Sequence, residues 1–334
     1  MTMLAAQISR YGGVESVGVD DVADPVRENG TVLVEVLAAG LNAYDLLMLA
    51  NRYQVSMPLP YIPGTEFVGT VREAPAGCGL AIEDRVVGKV QSGALAERVV
   101  CPPHALRPAG DWMTIDQAAS YRVTYETAMH ALHTASVVRP GDWVLVGGAS
   151  GGVGHALLDT ARALGVQTIA ACRPKHFDAC GQAGALACVD ISSDDVGAQV
   201  RSLSGGGGVA AAYDTVGGDF SLQAVRAVRP GGTVVVLGFA SGEISSVPLN
   251  RILLKGITLT GFQNRTVTET HPERAQTSLD VLNRLVEQHQ ISPVVGARFA
   301  LGDVRAALAA LTSRNQVGKV VVRMPVANGA GDAG

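Results

Sequence analysis

The chain has 334 residues, 47% of them hydrophobic and 17% charged, with 40 glycines, 15 prolines and a formal charge of −4 at pH 7. That apolar content suffices for two cores and excludes a chain that is mainly disordered. The near balance of 26 basic and 30 acidic residues, with no run of five like charges, excludes a dedicated nucleic-acid surface.

No apolar run reaches the roughly 18 residues of a membrane helix, and the start MTMLAAQISRYGG carries polar Gln7 where a signal peptide would stay apolar. Five cysteines without a CxxC pair read as reduced thiols. The expectation is a cytoplasmic protein with no membrane or nucleic-acid partner.

Residues 1 to about 117 read as short strands between Gly, Pro and Asn: TVLVEVLAAGLN (31–42), FVGTV (67–71), DRVVGKV (84–90) and ALAERVV (94–100). Alternation such as Val32, Val34, Val36 predicts half-buried strands of a barrel-like β domain. After a helical stretch at 116–137, strands at 139–148, 166–171, 187–190, 209–214 and 233–238 alternate with helices at 152–165, 175–184, 194–204 and 219–228. Such alternation predicts a parallel sheet covered on both faces. ITLTG (257–261) ends that sheet, and an amphipathic segment at 274–290 leads to ARFAL, a helix near 303–313 and KVVVR (319–323). We therefore expect a β domain from 1–121 and 263–334 around an inserted α/β domain at 122–262, with the termini together. The last residues, VANGAGDAG, read as a frayed tail.

The most informative stretch is VLVGGASGGVG (144–154), which joins a predicted strand to a helix. In A-x-G-x-x-G form, Ala149 occupies the tight turn, Gly151 admits a pyrophosphate to the backbone, and Gly154 lets the helix pack on the sheet. Free amides at the helix start, around Gly152 and Val153, then face the phosphates, and the Ser150 hydroxyl can bond one. The next strand ends Ala-Ala-Cys172-Arg173-Pro-Lys175-His, with no acid before Asp178. NAD-binding folds place a carboxylate there for the ribose diol. Arg173 and Lys175 instead suit a ribose phosphate, which predicts NADPH.

Taken with GLNAYDLLM (40–48), LPYIPGTEFVGTV (59–71), VTYETAMHAL (123–132), YDTVGG (213–218), RPGGTVVVLGFASG (229–242) and NQVGKVVV (315–322), these residues resemble the medium-chain dehydrogenase/reductase superfamily, and within it the zinc-independent quinone oxidoreductase branch that includes zeta-crystallin. The resemblance spans about residues 1–325. It implies a GroES-like β-barrel catalytic domain with an inserted Rossmann doubly wound sheet, NADPH as cofactor, and a homodimer joined edge to edge through the strand at 257–261. It also marks absences. Asn42 stands where zinc alcohol dehydrogenases have a cysteine, Thr65 where they have a histidine, and GKVQSGALAER (88–98) lacks the cysteines of a structural zinc lobe. No metal is expected, Glu66 and His104 being an isolated pair of donors.

The resemblance places Asn42 beside the nicotinamide as a candidate hydrogen-bond partner for a carbonyl, and Tyr53 at the mouth of the substrate site, as a pocket wall or proton donor. It places Thr124 near the phosphates and ribose, and Lys319 as a cation reaching the pyrophosphate. Val216 and Gly217, with Gly238, Phe239 and Ala240, follow Rossmann strands and are expected along the nicotinamide half. His104, His130, His133 and His155 sit in no triad pattern and read as surface or packed histidines. The expected activity is hydride transfer to a quinone or an α,β-unsaturated carbonyl, electron-poor acceptors that need no Lewis acid. Two other readings share these features: an enoyl-thioester reductase, and an NADPH-binding structural or regulatory protein with weak catalysis.

Overall fold

The computed structural model describes residues 1–313 and 315–325; the VANGAGDAG tail lies outside them. The chain forms two compact units, one from residues 1–123 and 293–334, the other from 124–292.

In the first unit, Thr2–Ile8 pairs antiparallel with Val17–Ala23. A seven-stranded sheet runs Val295–Ala300, Lys319–Arg323, Val32–Leu41, Glu66–Glu73, Arg85–Lys89, Leu106–Pro108, with Arg98–Cys101 also on Val32–Leu41. The alternation read from Val32, Val34 and Val36 is explained by burial: all three lie in the core with Leu41, Phe67, Val86 and Val320. Val32–Leu41 is the central strand, and its end carries the chain into helix Ala43–Leu49.

The second unit holds six parallel strands in the order Ala185–Asp190, Gln167–Cys172, Trp143–Gly147, Val209–Asp214, Val228–Val236, Thr258–Gly261. Counted along the chain this is 3-2-1-4-5-6, the doubly wound order, which reverses between Trp143–Gly147 and Val209–Asp214. Strands Trp143–Gly147 and Val209–Asp214 are almost wholly buried, hence their apolar runs, which in the second strand end at Asp214. No helix among the described residues is long and apolar enough to cross a membrane.

The structure differs from the sequence expectation at the second boundary, which falls at 292/293. Helices Asn264–Thr270 and Pro272–Glu287 belong to the α/β unit, because Pro272–Glu287 packs there: Ser278, fully buried, bonds Thr134 Oγ1 at 2.8 Å and His133 Nδ1 at 3.0 Å. The helical stretch expected at 116–137 is broken into Ile115–Ala118, Arg122–His130 and a π turn at Ala131–Ala135. Helix Leu249–Lys255 was not foreseen.

Candidate active site

In the α/β unit the glycine segment leaves strand Trp143–Gly147 where the strand order reverses, the place such sheets leave a crevice. Gly148 has φ +66°, and a Cβ there would meet Thr215 Oγ1 at 2.4 Å, so glycine is required. The Gly151 N–H donates to Gly148 O at 3.0 Å and closes the turn. Gly151 then caps helix Gly152–Ala163. A Cβ on Gly154 would lie 2.3 Å from Gly148 O, so only glycine lets the helix sit this close to the loop. A Cβ on Gly151 would meet nothing nearer than 3.4 Å, so the packing of the fold does not require glycine there. Helix starts carry unpaired N–H groups and partial positive charge, which suits an anion over Gly151, Gly152 and Val153. Ser150 is part-exposed beside them, whereas Ala149 is fully buried with its N–H donated to Ala171 O at 3.2 Å.

A hub that the sequence reading missed holds this loop to its neighbours. The buried carboxylate of Asp214, at the end of strand Val209–Asp214, accepts the N–H groups of Val216 (2.8 Å) and Gly217 (2.9 Å), and the Ser221 hydroxyl. Its own carbonyl accepts the N–H groups of Leu237 (2.7 Å) and Gly238 (3.2 Å). Thr215 donates its hydroxyl to Gly147 O at 2.8 Å, and its carbonyl accepts the Ala240 N–H at 3.0 Å. Thus two adjacent residues fix the relative positions of the glycine loop, the Val216–Gly217 turn and the Gly238–Ala240 segment. Gly217, at φ +73°, has no room for a side chain against Phe239 and Glu243. The YDTVGG motif was legible; that its aspartate ties three loops was not.

Arg173 and Lys175 are exposed just beyond strand Gln167–Cys172, Arg173 capping the short turn Pro174–His176. Thr124 is buried near the start of helix Arg122–His130. His155 is buried, and burial pulls its imidazole below the usual histidine range, so it sits packed and neutral.

In the other unit, Asn42 ends strand Val32–Leu41 and caps helix Ala43–Leu49, its N–H donated to Asp45 Oδ2 at 2.7 Å. Its side chain is 8% exposed. The amide Nδ2 donates to Glu66 Oε1 at 3.0 Å and Thr65 Oγ1 at 3.3 Å. Its Oδ1 accepts from Lys319 Nζ at 2.6 Å. Lys319, 5% exposed, also donates to Glu66 Oε1 (2.6 Å) and Leu41 O (2.7 Å). All three ammonium protons are therefore committed inside this unit, which differs from the expected reach toward a pyrophosphate. A buried ammonium needs its charge matched, and Glu66 supplies the match. Asp45 sits fully buried in the same cluster, and burial pushes its carboxyl up to about 7. Tyr53 packs edge-on against Tyr44, ring centroids 4.6 Å apart.

Comparison with known proteins names the family these two units make. Residues 28–111 match the family model of the alcohol dehydrogenase GroES-like domain, and residues 152–283 that of the zinc-binding dehydrogenases. A quinone oxidoreductase-like protein 2 from Bos taurus is 34% identical over 297 residues, covering 88% of this chain and 85% of the relative. This chain belongs to the quinone oxidoreductase-like branch of the medium-chain dehydrogenase/reductase superfamily. A quinone oxidoreductase from Pseudomonas aeruginosa is 29% identical over 95% of this chain and 98% of its own length. Among solved structures, a mycobacterial protein in complex with NADPH aligns with a TM-score of 0.87 at 29% identity, over 96% of this chain and 99% of that one.

The zinc in one family model's description does not fit the donors present. Asn42 and Thr65 are poor zinc ligands, and of the two carboxylates beside them Glu66 already carries the Lys319 ammonium while Asp45 accepts the Asn42 N–H. His104 stands apart on the exposed turn Pro103–Ala105. Among the described residues no three His, Cys, Asp or Glu side chains gather into a metal site. A nicotinamide dinucleotide does fit: the bare Gly151 backbone at the helix start leaves room for a pyrophosphate.

Proposed function

We propose that this oxidoreductase is NADPH-dependent and passes hydride to a quinone or an α,β-unsaturated carbonyl without a metal. The observation that carries the reading is the pairing of an open glycine cradle with two cations, Arg173 and Lys175, past the end of the neighbouring strand. The NADPH carried by a solved neighbour supports the same cofactor.

Ser150, Gly152, Val153 and Gly154 would hold the pyrophosphate by backbone amides and one hydroxyl, with Gly151 leaving the space for it and Ala149 shaping the turn from beneath. Arg173 would fork onto the ribose phosphate and Lys175 add a point charge. Thr124, Val216, Gly217, Gly238, Phe239 and Ala240 would line the nicotinamide half. When bound, the reduced nicotinamide supplies the hydride. The chain's task is then to orient and exclude water, since the anion left on a quinone or enone is already delocalised. Asn42 would present an amide N–H to a carbonyl by giving up its longer bonds, those to Gly40 O at 3.5 Å and to Thr65 Oγ1 at 3.3 Å. Lys319, bonded to Asn42 Oδ1, keeps that amide in one orientation rather than touching phosphate. Tyr53, backed by Tyr44, would wall the acceptor pocket.

The sheet edge at Thr258–Gly261 and the exposed Leu249, Leu253 and Leu254 on the preceding helix favour a homodimer through this edge. Five free thiols suit a cytoplasmic setting. The test is an NADPH oxidation screen over quinones, enones and enoyl thioesters of coenzyme A. Turnover of quinones or simple enones supports the reading. Turnover of enoyl thioesters alone makes it an enoyl-thioester reductase, and tight NADPH binding without turnover makes it a binding protein.

A further inference from the structure

Three cysteines gather on one face of the α/β sheet. Cys172 is the last residue of strand Gln167–Cys172, and Cys188 pairs in register with Ala170 of that strand, which puts it on the same face as Cys172. Helix Phe177–Gln182 covers that face and lowers Cys180 onto it. The Cys172 and Cys180 sulphurs are 3.5 Å apart, and both residues are buried, at 2% and 0% exposure. Cys188 is half-buried, its Sγ 3.7 Å from Phe177 O.

The pair brackets the residues assigned above to the ribose phosphate. Cys172 directly precedes Arg173, and Lys175 lies between Cys172 and Cys180. The covering helix is only six residues long, with Gly181 inside it and Gly184, at φ +109°, just after it. The thiols therefore lie beneath a short element with a glycine at its exit, the kind of segment that opens locally.

We propose that Cys172 and Cys180 form a reversible modification site, a dithiol that a hydroperoxide converts to a disulfide, and that closing it weakens NADPH binding through Arg173. The reaction balances as two thiols plus ROOH giving a disulfide, ROH and water. The Cys172 thiolate attacks the outer peroxide oxygen, the O–O bond breaks, and the departing alkoxide takes a proton, leaving a sulfenic acid. Cys180 sulphur then attacks Cys172 sulphur, expelling hydroxide, which leaves as water with the Cys180 proton. The direction follows from the pair itself: the contact between the two sulphurs holds Cys172 below the usual thiol range and Cys180 above it. A disulfide needs sulphurs about 2.05 Å apart, so the two must close by roughly 1.5 Å. That movement pulls on the backbone next to Arg173, and a charge-assisted fork onto phosphate depends on angle and distance.

The effect on NADPH rests on the cofactor reading above; the dithiol chemistry does not. The test treats the full-length protein with hydrogen peroxide, blocks free thiols with iodoacetamide, maps peptides by mass spectrometry, and measures NADPH and NADH dissociation constants before and after. The expected result is a Cys172–Cys180 cross-linked peptide removed by dithiothreitol, with NADPH affinity falling at least threefold and recovering, and NADH affinity unchanged. Cys180→Ser should bind NADPH normally and lose the peroxide response. No cross-link under conditions that oxidise Cys78 or Cys188 overturns the proposal, as does a cross-link that leaves NADPH affinity unchanged. If the reduced protein binds no NADPH, the cofactor reading fails by itself and the peptide map still decides whether the dithiol closes.

Discussion

Replacing Gly151 by alanine separates the needs of the fold from those of the ligand. Gly151 has φ −77° and ψ 171°, which any residue adopts, and an added methyl would meet only Gly148 O, at 3.4 Å. Alanine there narrows the unfolded ensemble, a gain of about 0.4–1 kcal/mol, and is a poorer helix cap than glycine, a loss of similar size. The melting temperature should stay within about 3 °C of wild type. Gly154 is the control. A methyl there would lie 2.3 Å from Gly148 O and 2.7 Å from Ala149 Cα, both backbone, and overpacking of that kind costs about 1–3 kcal/mol, or a fall of roughly 2–12 °C. For the ligand the order reverses. A methyl on Gly151 fills the space a pyrophosphate would take, and losing about 1.4–2.8 kcal/mol of contact weakens NADPH 10- to 100-fold. Isothermal titration with NADPH beside a thermal melt reads both quantities. A Gly151→Ala protein that melts and binds NADPH like wild type would refute the cradle.

Other substitutions test the remaining parts. Arg173→Ala should weaken NADPH about 10- to 100-fold, the worth of a charged hydrogen bond, and leave NADH unchanged; equal losses for both would refute the ribose-phosphate role. Asp214→Ala leaves the Val216 and Gly217 N–H groups without their acceptor, each costing about 1–3 kcal/mol, so the melt should fall and the NADPH KM rise. Asp214→Asn, which keeps the accepting oxygen, should recover much of both, and failure to do so would show that the carboxylate serves another end. Between about pH 4 and pH 7 the folded chain keeps a proton on Asp45 that the unfolded chain releases, so stability falls as pH rises through that window, by at most about 4 kcal/mol. Asp45→Asn should flatten the slope, and equal slopes in urea melts across that range would count against it. Leu253→Glu, on the exposed apolar helix face, should give a monomer by light scattering if the sheet edge joins two copies.

Much of this was legible because local signals and global fold agree. Buried parallel strands such as VAAAYD must be apolar along their length up to the end that meets the loops, and a helix that touches its loop at Gly154 must have glycine there. What escaped depends on long-range partners. The amphipathic pattern of Pro272–Glu287 says that one face is buried, not that Thr134 and His133 receive it. Lys319 reads as a strand-opening lysine, and its counter-ion Glu66 is 253 residues away in sequence. Asp214 appeared inside a motif, yet its function lies in which backbone amides converge on it. The Cys172–Cys180 contact joins a strand to the helix that crosses back over it, a meeting that no spacing rule announces.

Metal-free hydride transfer from NADPH to an electron-poor acceptor, as proposed, can be read in an anaerobic single turnover of chelator-treated protein with NADPH and 1,4-benzoquinone, followed at the nicotinamide absorbance band. Metal-free transfer predicts loss of NADPH equimolar with hydroquinone formed, at a rate the chelator leaves unchanged. No NADPH loss, or a loss that appears only when zinc is restored, would contradict it.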